Sequence, residues 1–229
     1  MKQGLVVTPA LGNARGLVLA RAARRRLLAA SVAGTALASM PWGAWAQTRT
    51  PTPRQTAGPF YPIELPADDD NDLVMVKGAS GIAKGEILIL TGNVMDTGGR
   101  PLVRVRVEIW QCNAFGRYLH PGDTNLAPLD PNFQGHGQFA TKVDGAYAFR
   151  TIKPVPYPGR TPHIHFRISG SGFAPLVTQM YVAGEPANAD DGVLNEIRDE
   201  RARRSVIIEL GKMPGGETLT GRFDIVLRT

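Results

Sequence analysis

The sequence predicts an all-β fold, an antiparallel β-sandwich with long functional loops and at most one short surface helix, and three observations support this. Apolar and charged residues alternate over short runs, as in residues 103–110 (VRVRVEIW). That two-residue period buries one face of a strand and exposes the other. Turn chemistry separates the runs, with Gly98 and Gly99 in one place and Asp144 and Gly145 in another, and such pairs punctuate strands. Only residues 191–203 have the composition of a helix. Many short strands with little helix argue for two packed sheets rather than an α/β fold.

At the start of the chain, Arg24, Arg25 and Arg26 precede an apolar, small-residue run over 27–38, and Ala44, Trp45 and Ala46 then form an A-x-A pattern before Gln47. This is the pattern of a secretory signal over residues 1–46. The RRRLL stretch resembles the twin-arginine type, which exports folded proteins, so the expected location is periplasmic or extracellular. The apolar run is too short to span a bilayer, so no membrane anchor is expected after processing. Residues 1–46 hold six of the 26 basic residues (Lys2, Arg15, Arg21, Arg24, Arg25, Arg26) and none of the 20 acidic ones. The rest of the chain is balanced at 20 basic against 20 acidic residues, which gives no reason to expect nucleic acid or anionic membrane as a partner. A homo-oligomer is compatible with this composition. Cys112 is the only cysteine, so no internal disulfide supports the fold, and its place beside a strand-like run reads as a buried thiol.

Residues 47–66 are rich in Pro and Thr without a period; they open an extended arm over 47–85 ahead of a sandwich domain over 86–229. The acidic stretch 68–72 (DDDND) reads as a solvated turn, because a calcium loop needs further ligands at set spacings. Strands are expected at 87–94, 103–110, 139–143, 146–151, 163–168, 176–182, 205–210 and 219–227, with one surface helix within 191–203. Asp144 and Gly145 between two such runs are a two-residue hairpin signal. Residues 113–137 form a long irregular segment dense in Gly, Pro, Asp and Asn, and unstructured runs of that length in a compact domain are usually functional.

The richest stretch chemically is 157–167 (YPGRTPHIHFR). On a strand, His163 and His165 project to one side and Ile164 to the other, so the two imidazoles can share a metal. The alternative is a merely polar outer face. Pro158 and Pro162 bracket the Gly159-Arg160 turn leading into this strand and stiffen it.

Several ordered motifs, TAGPFYP (56–62), WQCNAFGRY (110–118), HPGD (120–123), LDPNF (129–133), TIKPVPYPGR (151–160) and TPHIHF (161–166), resemble the intradiol ring-cleavage dioxygenases, and most the protocatechuate 3,4-dioxygenase group. The resemblance implies a β-sandwich holding one non-haem Fe(III) per chain, with Tyr118, Tyr157, His163 and His165 as its ligands. It implies that Arg160 stabilises charge on the substrate ring with Gln179 as its partner. It also implies that Thr56, Gly58, Pro59 and Tyr61 line the pocket of a small aromatic diol, protocatechuate first, which O2 cleaves to a cis,cis-muconate. The ligand types suit the metal: anionic phenolates are hard donors for a ferric ion, and a phenol near pH 10 needs a strong local cation to ionise at neutral pH. Taken singly, Tyr118 and Tyr157 would more often be core or surface tyrosines, and Trp110 reads as core. His120 and His136 read as loop residues, or as residues backing the ligands, rather than as ligands themselves. The sequence departs from the family pattern by a shortened segment at Gly159, by Gln138 where Arg is common and by Cys112 where Ala is common, which bears on the substrate more than on the reaction. Two competing readings remain: a secreted transthyretin-like binding module without catalysis, and a zinc hydrolase, which would need a carboxylate or third His ligand.

Overall fold

A computed structural model describes residues 48–66 and 68–229; the expected export signal lies outside the described residues. Among the described residues, ten strands form two five-stranded sheets. They are β1 (Ile87–Asp96), β2 (Arg106–Trp110), β3 (His136–Ala140), β4 (Ala146–Ile152), β5 (His163–Ser169), β6 (Leu176–Val182), β7 (Ile207–Ile208), β8 (Leu210–Lys212), β9 (Leu219–Arg222) and β10 (Ile225–Leu227). One sheet centres on β1, with β4 along one edge, β9 then β10 along the other, and β8 paired outside β9; the second runs β3-β2-β5-β6-β7. Between them lies the core. Leu88, Leu90 and Phe149 of the first sheet and Val107, Ile109, Ile164, Phe166 and Ile168 of the second are buried in one cluster. Phe166 meets Tyr147 and Phe223 across the layers, with ring centroids 6.2 and 4.9 Å apart.

The β-sandwich stands, with corrections. The sheets are mixed rather than purely antiparallel, because β9 and β10 run parallel to β1 and β7 parallel to β6. Among the described residues, two short α-helices replace the single one expected, α1 (Gly192–Asn195) and α2 (Glu200–Ser205), after a 3-10 turn at Pro186–Ala189. Each has its own N-cap: Asp191 accepts from the Leu194 N–H, and Asp199 from that of Ala202. The second cap restarts the helix, and a side-chain acceptor at that position satisfies a donor the first turn leaves free. The strand expected at 205–210 begins late because α2 runs to Ser205.

The strands flanking Asp144 and Gly145 do not pair with each other. The turn closes locally, Lys142 N donating to Ala146 O at 3.0 Å, but β3 joins β2 and β4 joins β1, so the chain changes sheet there. The strand expected at 103–110 starts only at Arg106, since Arg104 has φ 55, a left-handed conformation that interrupts a ladder. The run 219–227 splits at Phe223, whose carbonyl lies against Gly92 where a Cβ would not fit and accepts from the Tyr147 hydroxyl.

Strand alternation positions the site. Ile164, Phe166 and Ile168 fill the core, so His163, His165 and Arg167 stand on the outer face of the second sheet. In register beside them on that face are Trp110, His136 and Gln179, with Glu108 next to Arg167. A slip of one residue would drive the imidazoles into the core and Phe166 out, and burying such a ring is worth about 1.5–3 kcal/mol. The arm before β1 covers this face, tied to it where Gln55 N donates to Val177 O at 2.9 Å. Among the described residues no helix is long and apolar enough to cross a membrane.

Candidate metal centre

Three segments deliver the predicted ligands. β5 supplies His163 and His165, whose Nε2 atoms converge to 3.2 Å. Tyr157 comes from a tight turn in which Arg160 N donates to Tyr157 O at 2.9 Å. Pro158 and Gly159, the latter at φ 81, are the residue types such a turn needs at its two central positions. The turn also sets Arg160 beside Tyr157. Tyr118 is held by the irregular segment after β2, which its own short polar side chains organise. Asn113 Oδ1 accepts from Phe115 N and Arg117 N, Asp123 Oδ2 accepts from Tyr118 N at 2.7 Å, and Asn125 Nδ2 donates to Gly116 O.

The four rings cluster. Centroids are 5.5 Å apart for Tyr118–Tyr157, 5.4 Å for Tyr157–His163, 4.8 Å for His163–His165 and 6.3 Å for Tyr118–His165. His163 Nδ1 donates to the Thr161 carbonyl at 2.7 Å, leaving its Nε2 lone pair for a ligand. Burial, reinforced by the Arg160 cation, pulls the His163 pKa down to about 4, and burial with the neighbouring His163 holds that of His165 well below the ordinary range. Both imidazoles are therefore neutral and able to donate a lone pair. Burial raises the pKa values of both Tyr118 and Tyr157, so neither phenol ionises here without a cation. The Tyr118 hydroxyl is buried with no hydrogen-bond partner, a costly state that a metal would relieve. Among the described residues, no group of three or more His, Cys, Asp or Glu side chains is placed to hold a metal. The donors present are two phenols and two imidazoles, which fit a ferric ion and not a hydrolytic zinc site.

Arg160 spans the cluster. Its Nη1 lies 3.5 Å from the Tyr157 hydroxyl and 3.4 Å from His163 Nε2, and its Nη2 donates to Gln179 Oε1 at 2.6 Å. Gln179 Nε2 donates in turn to the Thr56 carbonyl of the arm at 2.9 Å. Asp191 is the partner that sequence reasoning missed: fully buried, it accepts from Arg160 Nε at 2.8 Å. Burial opposes its charge, but the Arg160 hydrogen bond and two backbone N–H donors outweigh this and hold its carboxyl below the usual range. Gln55 and Tyr181 were also missed; Gln55 donates to the Tyr181 hydroxyl, which donates to Gln179 Oε1.

Of the arm residues, Gly58 lies against His165, where an added Cβ would sit 3.4 Å from the ring at a φ of 67. Thr56 Oγ1 accepts from Gly58 N at 3.0 Å and so shapes that bend, and Pro59 is exposed beside it. The Tyr61 hydroxyl instead donates to Glu108 at 2.9 Å and accepts from Arg167, so it is turned away from the four rings. Phe60, not singled out in the sequence, packs on Tyr118 at 4.8 Å. Trp110 is not in the inter-sheet core; its indole stacks on His165 at 4.8 Å and 7°. His136 lies buried on β3 rather than in a loop.

A family model described as "Dioxygenase" matches residues 56–229. The protocatechuate 3,4-dioxygenase beta chain of Burkholderia cepacia is 42% identical over 76% of this chain and 78% of its own length. Hydroxyquinol 1,2-dioxygenase of Rhizobium sp. (strain MTP-10005) is 32% identical over 59% of this chain, which spans about half (49%) of that relative. Among solved structures, the dioxygenase domain of a dioxygenase–carbohydrate-binding protein fusion from Streptomyces sp. SirexAA-E is 30% identical with a TM-score of 0.62, covering 79% of this chain and 99% of that one. The match across nearly all the described residues, on a sandwich whose outer face gathers two phenols and two imidazoles, shows that the chain belongs to the intradiol ring-cleaving dioxygenase family.

Proposed function

We propose that Tyr118, Tyr157, His163 and His165 hold one non-haem ferric ion per chain, and that the protein cleaves a catecholic diol with O2 between its two hydroxylated carbons, giving a cis,cis-muconate. The observation that carries this reading is the convergence of four donors from three separate segments on one side of β5, with Arg160 spanning them. A non-catalytic binding module gives no reason for such convergence. When bound, the ferric ion would supply Lewis-acid activation of a chelated diol toward O2.

The chain's own residues supply the rest. Tyr157, less buried than Tyr118 and beside the Arg160 guanidinium, is placed to take up a proton from an incoming catechol hydroxyl. Arg160 carries a permanent positive charge, fixed by Asp191 and Gln179, next to where charge builds on the ring, and a donor already aimed there needs no reorganisation during reaction. Gly58 lets the arm close over His165, and with Phe60 it keeps water from the site. Protocatechuate is the first substrate to test, because the Burkholderia cepacia relative is named for it; catechol and hydroxyquinol come next, because the Gly159 turn is short. We further propose export by the twin-arginine route. An absorption spectrum with metal analysis, and then product analysis across the three diols, tests the reading. A broad visible band, stoichiometric iron and a muconate diacid are expected. Stoichiometric zinc without colour, or a yellow semialdehyde, would refute it.

A further inference from the structure

The site leaves one buried charge unexplained. Glu108 sits on the outer face of β2, 1% exposed, between Gln138 of β3 and Arg167 of β5. Taking a carboxylate out of water is costly, and an apolar side chain at such a position is often as stabilising or more so. Its one close hydrogen bond comes from Tyr61 of the arm, at 2.9 Å. Arg167 Nη1 donates to the same Tyr61 hydroxyl at 3.1 Å and lies 3.7 Å from the second carboxylate oxygen, while His136 Nε2 stands 3.7 Å from the first.

The Tyr61 ring meets the Trp110 indole edge-on, at 5.0 Å and 88°. That indole, opposite His165 in register, lies parallel to its imidazole. The two candidate histidines are thus oriented by different means. His163 has the hydrogen bond from its far ring nitrogen that ordinarily fixes a metal-binding imidazole,. His165 does not, since its Nδ1 is buried without a partner.

We propose that Tyr61 and Glu108 are positioning residues that orient His165 through Trp110, replacing the ring hydrogen bond that His163 has and His165 lacks. Glu108 and Arg167 fix the Tyr61 hydroxyl, the Tyr61 ring confines the indole, and the indole sets the plane of the imidazole. This rests on the reading of His165 as an iron ligand.

The test is iron release. Tyr61→Phe keeps the ring and deletes the hydroxyl, and Glu108→Gln keeps an acceptor but removes the charge. Tyr147→Phe is the control, deleting a buried hydroxyl in the other sheet that donates to Phe223 O. Loss of iron from the loaded protein to a ferric chelator is expected to be at least about tenfold faster in Tyr61→Phe and in Glu108→Gln, the scale typical of lost support to a metal ligand. Tyr147→Phe should melt lower yet release iron at the wild-type rate. Release from both arm-network variants within twofold of wild type, or equal acceleration in Tyr147→Phe, would overturn the inference alone. A wild-type protein that takes up no iron would overturn the ligand set and this inference with it.

Discussion

Arg160→Ala tests more contacts of the site at once than any other single change. It deletes the donor to Gln179 at 2.6 Å and the ion pair to Asp191 at 2.8 Å, side chains 14% and 0% exposed in that pair. An abandoned buried charge costs about 3–5 kcal/mol. Asp191 keeps two donors, Leu194 N at 2.8 Å and Thr161 N at 3.1 Å. The expected loss is therefore smaller, about 2 kcal/mol, or a fall in Tm of about 4–8 °C for a chain of this size. That leaves the protein folded at 25 °C, so turnover reads the site and not stability. Losing a preorganised donor at developing charge typically lowers kcat by about 10²–10³-fold. The assay pairs kcat on catechol with iron content and thermal unfolding. A kcat within threefold of wild type would refute the assigned role, and a loss of kcat that merely tracks lost iron would make Arg160 scaffold alone.

Three further outcomes are expected. The His163 pKa near 4 in the folded metal-free protein, against about 6.5 unfolded, means the unfolded chain binds more protons between those values; stability therefore falls as pH drops through that window, by up to about 3 kcal/mol from this group. Urea unfolding of the metal-free protein across pH 7 to 4 measures this, and His163→Gln should flatten the slope. Cys112 is buried with its thiol pushed up to about 12, so a thiol reagent should find it only after denaturation; reaction in native buffer would contradict its placement. Replacing Arg24 and Arg25 with Lys should leave the protein in the cytoplasm, and an undiminished periplasmic yield would exclude the twin-arginine route.

Local period carried much of the fold in the sequence, and local motifs named most of the side chains that gather in the candidate site. Alternation in residues 163–168 was enough to say that both imidazoles share a face, because side-chain direction on a strand depends only on the backbone. Pro158 and Gly159 announced a turn before β5, expected to centre on Gly159 and Arg160; the Arg160 N to Tyr157 O bond instead centres it on Pro158 and Gly159, where each residue type suits its position. What local pattern cannot carry is pairing between distant segments. The parallel partners of β1 lie more than 120 residues away, and nothing within 219–227 shows that a carbonyl must close on Gly92. Tyr61 has the composition of a pocket residue, yet its hydroxyl goes to Glu108, 47 positions on.

Asp191 was legible in principle, by an argument that period alone does not supply. An arginine buried beside the four rings needs a carboxylate, because an unpaired buried charge is costly. The first acids after β6 are Glu185, Asp190 and Asp191. Glu185 precedes the 3-10 turn without a side-chain cap, whereas Asp191 caps α1 with its side chain, and a capping aspartate is held rigidly by the backbone N–H whose hydrogen bond it accepts. Its Oδ1 accepts from Leu194 N and its Oδ2 from Arg160, so one carboxylate starts α1 and fixes the guanidinium. The short helix is thereby tied to the candidate metal centre. A change confined to α1 that loosened the cap, such as Leu194→Pro, would reach turnover through the angle of Arg160 without touching a ligand.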